Sequence, residues 1–266
     1  MKKQAKKSKS RSKNKSKNKK WIWVVAIVIV GLINAFILYS IYVQKTNPME
    51  AKYNSFGIVI PASYAIHGID VSFYQENIHW PAVQAMQVNN VRLRFAFLKA
   101  TQGLDKTDKQ YQRNRIKTKE IGFPIGAYHY FIASKNGKEQ ANHFIKIAQL
   151  QKGDLPPVVD VEELYGTPPN TMRKELQECL QALEQAYHVK PIIYSSASFY
   201  KTYLGNLFDG YPLWVAHYFA TERPRINRPF LFWQHSDQGR VNGIHAKVDF
   251  NIFNGDEAAF NDLLMK

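Results

Sequence analysis

The sequence predicts an α/β fold: a β/α barrel of the TIM type with a degenerate last third, preceded by one transmembrane helix. Three observations lead to this prediction. An uncharged apolar run stands near the amino end, at residues 21–43. Eight short segments rich in strand-forming residues recur after residue 65. Helix-like segments separate the first five of them, and the later spacers are shorter.

The apolar run at residues 21–43 contains 23 residues and no charged side chain. As a helix it would span roughly 34 Å, enough to cross a hydrocarbon core of about 30 Å. Residues 1–20 carry ten lysines, one arginine and no acid, so +11 of the net charge of +15 lies there. By the positive-inside rule, this basic tail stays in the cytoplasm and the rest crosses the membrane. We expect a single-pass cytoplasmic-membrane protein whose run is an uncleaved anchor in the lipid bilayer.

The remaining chain carries a net charge of only +4, which does not support nucleic-acid binding.

Residues 44–65 contain prolines and a glycine without a clear period, which predicts a linker. The segment 172–187 has an apolar face that includes Cys179, which predicts a helix with a buried thiol and with Asn170 as its N-cap. The predicted strands are 66–71, 93–100, 124–131, 157–161, 191–195, 213–216, 230–234 and 248–251. Several of these strands are almost entirely apolar, as parallel strands covered on both faces are.

Acidic residues are few at the predicted strand ends, where β/α barrels place their active sites. Asp70 closes the first strand, Asp160 and Glu162 close the fourth, and Asp249 lies in the eighth. Because side chains alternate along a strand, Asp160 and Glu162 are expected to point to the same side. Two neighbouring carboxylates raise each other's proton affinity, so one can act as a general acid while the other is ionised. A solvated acidic loop is the other interpretation of this pair.

Eight segments in order give the chain a more specific resemblance. The chain resembles the family 25 glycoside hydrolases, the muramidases of bacteria and their phages, over about 190 residues. The matching segments are GIDVSFYQ (68–75), FAFLKATQG (95–103), IGAYHYF (125–131), PPVVDVE (156–162), IIYSS (192–196), PLWVAHY (212–218), FWQHSDQGRVNGI (232–244) and VDFNIFNG (248–255). The resemblance implies that the barrel is flattened. It also implies a catalytic domain at residues 66–266 that cleaves the β-1,4 bond between N-acetylmuramic acid and N-acetylglucosamine in peptidoglycan.

The resemblance also implies roles for the four acids. Glu162 is expected to protonate the leaving oxygen, and Asp160 to orient or stabilise the substrate's own acetamido group as it attacks the anomeric carbon. Such a substrate-assisted path forms no covalent enzyme intermediate. Asp70 and Asp249 match the family's first-strand and last-strand aspartates and are expected to shape the site's charge. The other interpretation of these two aspartates is that they are buried, hydrogen-bonded acids with a structural role.

Further matched positions are expected to line the substrate groove. Tyr128, Tyr130 and Trp214 are candidates for stacking on sugars, and Gln234 for hydrogen bonds to hydroxyls. Tyr194 and His217 are weaker candidates for lining the groove. His129 is interpreted instead as a core histidine. Gln102 replaces the glutamate that is usual in this family; if that glutamate tunes the acid pair, its loss should lower the pKa of Glu162.

Two other functions stay open at this stage. One is a catalytically weak peptidoglycan-binding envelope protein, and the other is a glycosidase acting on another N-acetylated glycan such as chitin. The eight histidines form no metal-ligand pattern and there is one cysteine, so we expect neither a metal nor a cofactor. The expected location of the catalytic domain is the periplasm or the cell wall.

Overall fold

The computed structural model describes residues 21, 25, 28–39, 50–53, 55–218 and 220–266. The chain divides into two compact units, Met1–Pro48 and Met49–Lys266. In the first unit, residues 28–39 belong to a helix (α1) with exposed side chains. Among the described residues, no helix has both the length and the apolar character needed to span a bilayer. Much of the predicted anchor and the whole basic tail lie outside the described residues.

A β-hairpin occupies most of the segment that the sequence predicted as a linker. Its strands, β1 (Glu50–Tyr53) and β2 (Ile58–Pro61), are antiparallel. Phe56 in the turn is fully buried, and its ring meets that of Phe250 at 5.3 Å between centroids. The linker prediction for residues 44–65 is therefore wrong in its second half. Gly57 and Pro61, which had indicated a linker, belong instead to a hairpin within the second unit.

Eight strands form a closed barrel in the second unit. Around the barrel their order is β3, β12, β11, β10, β9, β8, β7 and β5, and β5 pairs again with β3. Two short strands, β4 and β6, pair only with β5. The bounds are β3 Ile66–Val71, β4 Gln87–Val88, β5 Val91–Gln102, β6 Lys106–Thr107, β7 Ile125–Tyr130, β8 Val158–Asp160, β9 Ile192–Ser196, β10 Leu213–Ala216, β11 Phe232–Gly239 and β12 Val248–Phe253. All eight predicted barrel strands are confirmed, with small differences at their ends.

The last strand departs from the TIM pattern because β12 runs antiparallel to both of its neighbours, β11 and β3. The connection from β11 to β12 is short and contains no helix among the described residues, so the chain turns back directly. The reversal places the amino end of β12 beside the carboxyl ends of the other strands. Asp249, the second residue of β12, thereby reaches the end of the barrel where Asp70 and Asp160 also lie.

Helices follow the first strands and become short later in the chain, as the sequence predicted. They are α2 Trp80–Ala85, α3 Tyr111–Glu120, α4 Gly137–Ala148, α5 Pro169–Tyr187, the single turn α6 Ala197–Phe199 and α7 Glu257–Leu263. The predicted helix at 172–187 is confirmed as α5, and Cys179 is buried in it. The prediction of Asn170 as N-cap is wrong, because Pro168 holds that position and the helix begins at Pro169. Proline suits a first helical position, where the missing N–H would have no intrahelical partner.

Two apolar layers explain why the strands are apolar on both faces. Phe95 and Phe97 of β5 point into the barrel, whereas Ala96 and Leu98 pack between the barrel and the surrounding helices. The interior is filled by large rings: Phe97 stacks on Trp214 at 4.5 Å, and its ring also meets that of Phe232. The interior is therefore a packed core of large rings rather than a channel.

Candidate active site

A cavity of about 240 Å³ opens at the end of the barrel where the parallel strands terminate. All eight barrel strands, or the loops that directly follow them, contribute to its wall. Nine of the ten predicted site residues line it: Asp70, Tyr128, Tyr130, Asp160, Glu162, Tyr194, Trp214, Gln234 and Asp249. The tenth, Gln102, lies in a neighbouring cavity.

Asp160 and Glu162 both face this cavity, the former as the last residue of β8 and the latter two positions further on. Asp160 is buried, and its Oδ1 has no hydrogen-bond partner in the part of the chain that the structure describes. Burial raises the pKa of Asp160 well above its ordinary value, the charge of Glu162 raises it further, and the Lys99 ammonium opposes the rise. Burial also raises the pKa of Glu162. The pair therefore retains a proton at a higher pH than an isolated carboxyl group would.

Asp70 and Asp249 lie directly opposite each other on β3 and β12. The Oδ1 atom of Asp70 accepts hydrogen bonds from Nε2 of Gln234 at 2.8 Å and from Nδ2 of Asn251 at 2.7 Å. These donors favour the ionised form of Asp70, although burial raises its pKa to about 6. Burial, and then the charge of Asp70, raise the pKa of Asp249 to about 9. Near neutral pH the proton therefore resides on Asp249, which donates it in a hydrogen bond to Asp70.

Gln234 connects the tyrosines of the cavity to Asp70. Its Oε1 accepts hydrogen bonds from the hydroxyls of Tyr194, at 2.8 Å, and Tyr218, at 2.7 Å. Its side chain is buried and its Nε2 donates to Asp70. The sequence suggested that Gln234 binds sugar hydroxyls, but its carbonyl is already occupied. In the structure Gln234 orients the two tyrosines and the aspartate.

The three aromatic residues predicted to stack on sugars differ in their surroundings. Trp214 is only 2% exposed, one face of its ring is covered by Phe97, and its Nε1 donates to Asn251 at 2.8 Å. Trp214 therefore forms the floor of the cavity and offers no open stacking face. Tyr128 and Tyr130 are half-buried and line the wall, which leaves them better placed to meet a ligand.

Lys99 is a site residue that the sequence analysis did not single out. Its ammonium lies 4.6 Å from the centre of the Tyr130 ring and donates to Oε1 of Gln102 at 3.1 Å. It lowers the pKa of both Asp160 and Glu162. Gln102 thus contacts the ammonium that faces the acid pair. The segment FAFLKATQG had drawn attention to this strand, but nothing local shows that Lys99 faces acids on β8.

Tyr218, Asn251 and Tyr74 are further residues at the cavity that sequence reasoning missed. Tyr218 and Tyr74 line the wall, and Asn251 supports Asp70 from below. All three stand within matched segments, GIDVSFYQ, PLWVAHY and VDFNIFNG, but the residues they meet at the cavity are distant in sequence. In contrast, the interpretation of His129 as a core histidine is confirmed: it is fully buried, with Thr101 against Nδ1 at 2.7 Å.

The cavity continues on both sides into a longer groove. On one side a cavity of about 490 Å³ shares Glu162 and Tyr218 with it. On the other side a cavity of about 280 Å³ shares Lys99 and includes Gln102. The acid pair, Asp160 and Glu162, therefore lies between two open arms, an arrangement that suits a chain-like ligand bound across the barrel's end. Among the described residues, no cluster of three or more histidine, cysteine or acidic side chains offers a metal site.

The sequence profile of Glycosyl hydrolases family 25 matches residues 69–244. This range includes seven of the eight barrel strands, apart from the first three residues of β3, and ends before β12. The chain belongs to glycoside hydrolase family 25. Lysozymes of this family hydrolyse peptidoglycan, and the mixed α/β closed barrel described above is consistent with the family's fold.

The chain is similar in sequence or structure to three further proteins. It is 47% identical to Uncharacterized protein YegX of Escherichia coli (strain K12) over 201 residues, which are 76% of this chain and 74% of that protein. It is 31% identical to Lysozyme M1 of Streptomyces globisporus over 210 residues, covering 73% of this chain and 69% of that protein. A solved family 25 glycosyl hydrolase from Bacillus anthracis superposes with a TM-score of 0.69 at 30% identity, over 75% of this chain and 94% of that one.

Proposed function

We propose that this family 25 protein is a muramidase, which cleaves the β-1,4 bond between N-acetylmuramic acid and N-acetylglucosamine in peptidoglycan. The observation that carries the proposal is the pair of buried acids, Asp160 and Glu162, in a cavity at the barrel's end. Glycoside cleavage needs one protonated and one ionised carboxyl group within reach of the bond. Similarity to Lysozyme M1 supports the choice of peptidoglycan as substrate.

Glu162 is proposed as the general acid. Its raised pKa keeps a proton available at a pH where a solvated glutamate would be ionised. The proton moves to the glycosidic oxygen as the bond from that oxygen to the anomeric carbon breaks. The carbonyl oxygen of the substrate's acetamido group attacks the anomeric carbon in the same step. Glu162, now ionised, takes a proton from the water that opens the cyclic intermediate.

Asp160 is proposed to hold the acetamido group during this attack. Its buried Oδ1, which has no hydrogen-bond partner among the described residues, is suited to accept the acetamido N–H. A hydrogen bond to that oxygen favours the ionised form of Asp160. Substrate binding would then leave the shared proton on Glu162, where the reaction needs it.

The test is to incubate the detergent-solubilised full chain with purified peptidoglycan and to identify the new reducing ends by mass spectrometry after reduction. We expect muramic-acid reducing ends, which Glu162→Gln abolishes to below about one part in a hundred. Glu178→Gln, which alters an acid on the outer helix α5, is the matched control and keeps native activity. Products from the native chain that persist in Glu162→Gln would contradict the assigned role of Glu162.

A folded native protein that sediments with peptidoglycan but releases no products between pH 4 and 8 would refute the muramidase proposal. The binding-protein alternative would then stand. Cleavage of chitin oligosaccharides at a rate equal to that on peptidoglycan would instead favour the broader glycosidase.

The uncharged run at residues 21–43 and the preceding basic tail support a second part of the proposal, which concerns location. The protein is anchored in the cytoplasmic membrane by this run, with its amino end in the cytoplasm and its barrel outside. We expect the full chain to stay with membranes after alkaline carbonate extraction, and protease added to spheroplasts to digest the barrel. Extraction into the soluble fraction would refute the anchor.

A further inference from the structure

The 490 Å³ arm of the groove is bordered by cationic side chains. Its wall combines Lys201 after β9, His217 after β10 and Arg225 in the loop that leads to β11. Glu162 is the one acid among its lining residues. Within the described part of the chain, neither Lys201 nor Arg225 forms an ion pair. Two exposed positive charges thus border a cavity that opens directly onto the proposed general acid.

His217 adds a directed donor between these two charges. Burial lowers its pKa, and the charges of Arg225 and Lys201 lower it further, so its imidazole is neutral. Nδ1 accepts the backbone N–H of Arg225 at 3.0 Å, which leaves the ring hydrogen on Nε2. The backbone of His217 is held by hydrogen bonds to Gln234 and Trp233, both on β11. The arm therefore presents an ammonium, a guanidinium and an imidazole N–H, all of which bind anions.

We propose that this arm binds a carboxylate carried on the 3-O-lactyl branch of muramic acid, and so selects peptidoglycan over uncharged N-acetylglucosamine polymers. This inference rests on the proposed function, because it concerns the substrate of the same site. A chitin strand carries no carboxylate and gains nothing from Lys201 or Arg225. The muramyl branch bears either its own lactyl carboxylate or, when a stem peptide is attached, the peptide's carboxylates. Both sources share the chemistry that this arm recognises.

The test compares the detergent-solubilised native chain with the double variant Lys201→Met/Arg225→Met on three substrates. These are peptide-bearing peptidoglycan, the same glycan after an amidase removes its peptides, and a chitin oligosaccharide. We expect KM for peptidoglycan to rise about tenfold, with a much smaller change in kcat and a clearly smaller effect on chitin. Lys152→Met is the matched control, because this exposed lysine lies before β8, at the opposite end of the barrel.

The two glycans identify the source of the carboxylate. A rise in KM on the amidase-treated glycan alone supports recognition of the lactyl carboxylate, and a rise on the peptide-bearing glycan alone supports recognition of the peptide's carboxylates. A rise on both supports recognition of either carboxylate by the same arm. An unchanged KM on both glycans, or an equal rise on chitin, overturns the proposal.

A binding measurement separates this inference from the proposed function. Glu162→Gln is compared with Glu162→Gln/Lys201→Met/Arg225→Met by cosedimentation with insoluble peptidoglycan. A Kd about tenfold weaker in the triple variant supports the inference even if the native chain cleaves nothing. Equal affinities overturn it even if the native chain is an active muramidase.

Discussion

Replacing Asp249 by asparagine is expected to stabilise the protein although the residue lies in the proposed active site. The pKa of Asp249 is about 9 in the folded protein and 3.8 in the unfolded chain, because burial and the adjacent Asp70 disfavour its charge. A group with a raised pKa favours folding at low pH and loses that contribution as the pH rises above 3.8. At pH 7 the folded state must therefore take up a proton, which costs up to about 4 kcal/mol at 1.36 kcal/mol per pH unit.

Asparagine removes this cost, since its neutral amide can still donate a hydrogen bond to Asp70. The gain should reach about 4 kcal/mol at pH 7 and about 2 kcal/mol at pH 5, where the unfolded carboxyl group is closer to its own pKa. For a domain of this size, a gain of that order at pH 7 corresponds to a Tm higher by about 10 °C.

Thermal and urea unfolding of the native protein and of Asp249→Asn at pH 5, 7 and 9 would measure this gain. Asp262→Asn is the matched control, because this exposed side chain on α7 pairs only with Lys266 and is expected to change stability by less than about 0.5 kcal/mol. A variant less stable than the native protein at pH 7, or a gain that does not grow with pH, would refute the assignment of the proton to Asp249.

Two further predictions concern pH. Gln102→Glu should draw the Lys99 ammonium away from the acid pair and so raise the pKa of Glu162. The alkaline limb of the pH–rate profile should therefore move to higher pH. A shift to lower pH would contradict an effect of residue 102 that acts through Lys99. Burial lowers the pKa of His67 to about 4 and that of His235 to about 3, so below pH 6.5 the unfolded chain binds their protons first and stability is lost. Between pH 7 and pH 5, the free energy of unfolding of His235→Phe should therefore fall by about 2 kcal/mol less than that of the native protein, as measured by urea unfolding. Equal decreases in the two proteins would refute this.

Local patterns in the sequence accounted for much of the candidate site. The alternation of side chains was enough to place Asp160 and Glu162 on one side of β8, because that geometry depends on two neighbouring residues. It was not enough to assign Gln234, whose partners are Tyr194, Tyr218 and Asp70 on other strands. The sequence shows that Gln234 carries two donors and an acceptor, but not which groups occupy them.

By itself the sequence determined the family, the eight strands and the positions of the acids, because apolar segments and motif order are local properties of the chain. Only the tertiary structure decided that β12 runs antiparallel, and that this reversal brings Asp249 against Asp70. It also decided that β1 and β2 form a hairpin and that Phe56 is buried. These features depend on pairings between residues that are distant in sequence. The free energy of such pairings comes from burial and from closure of the barrel, so a short segment of sequence does not predict them.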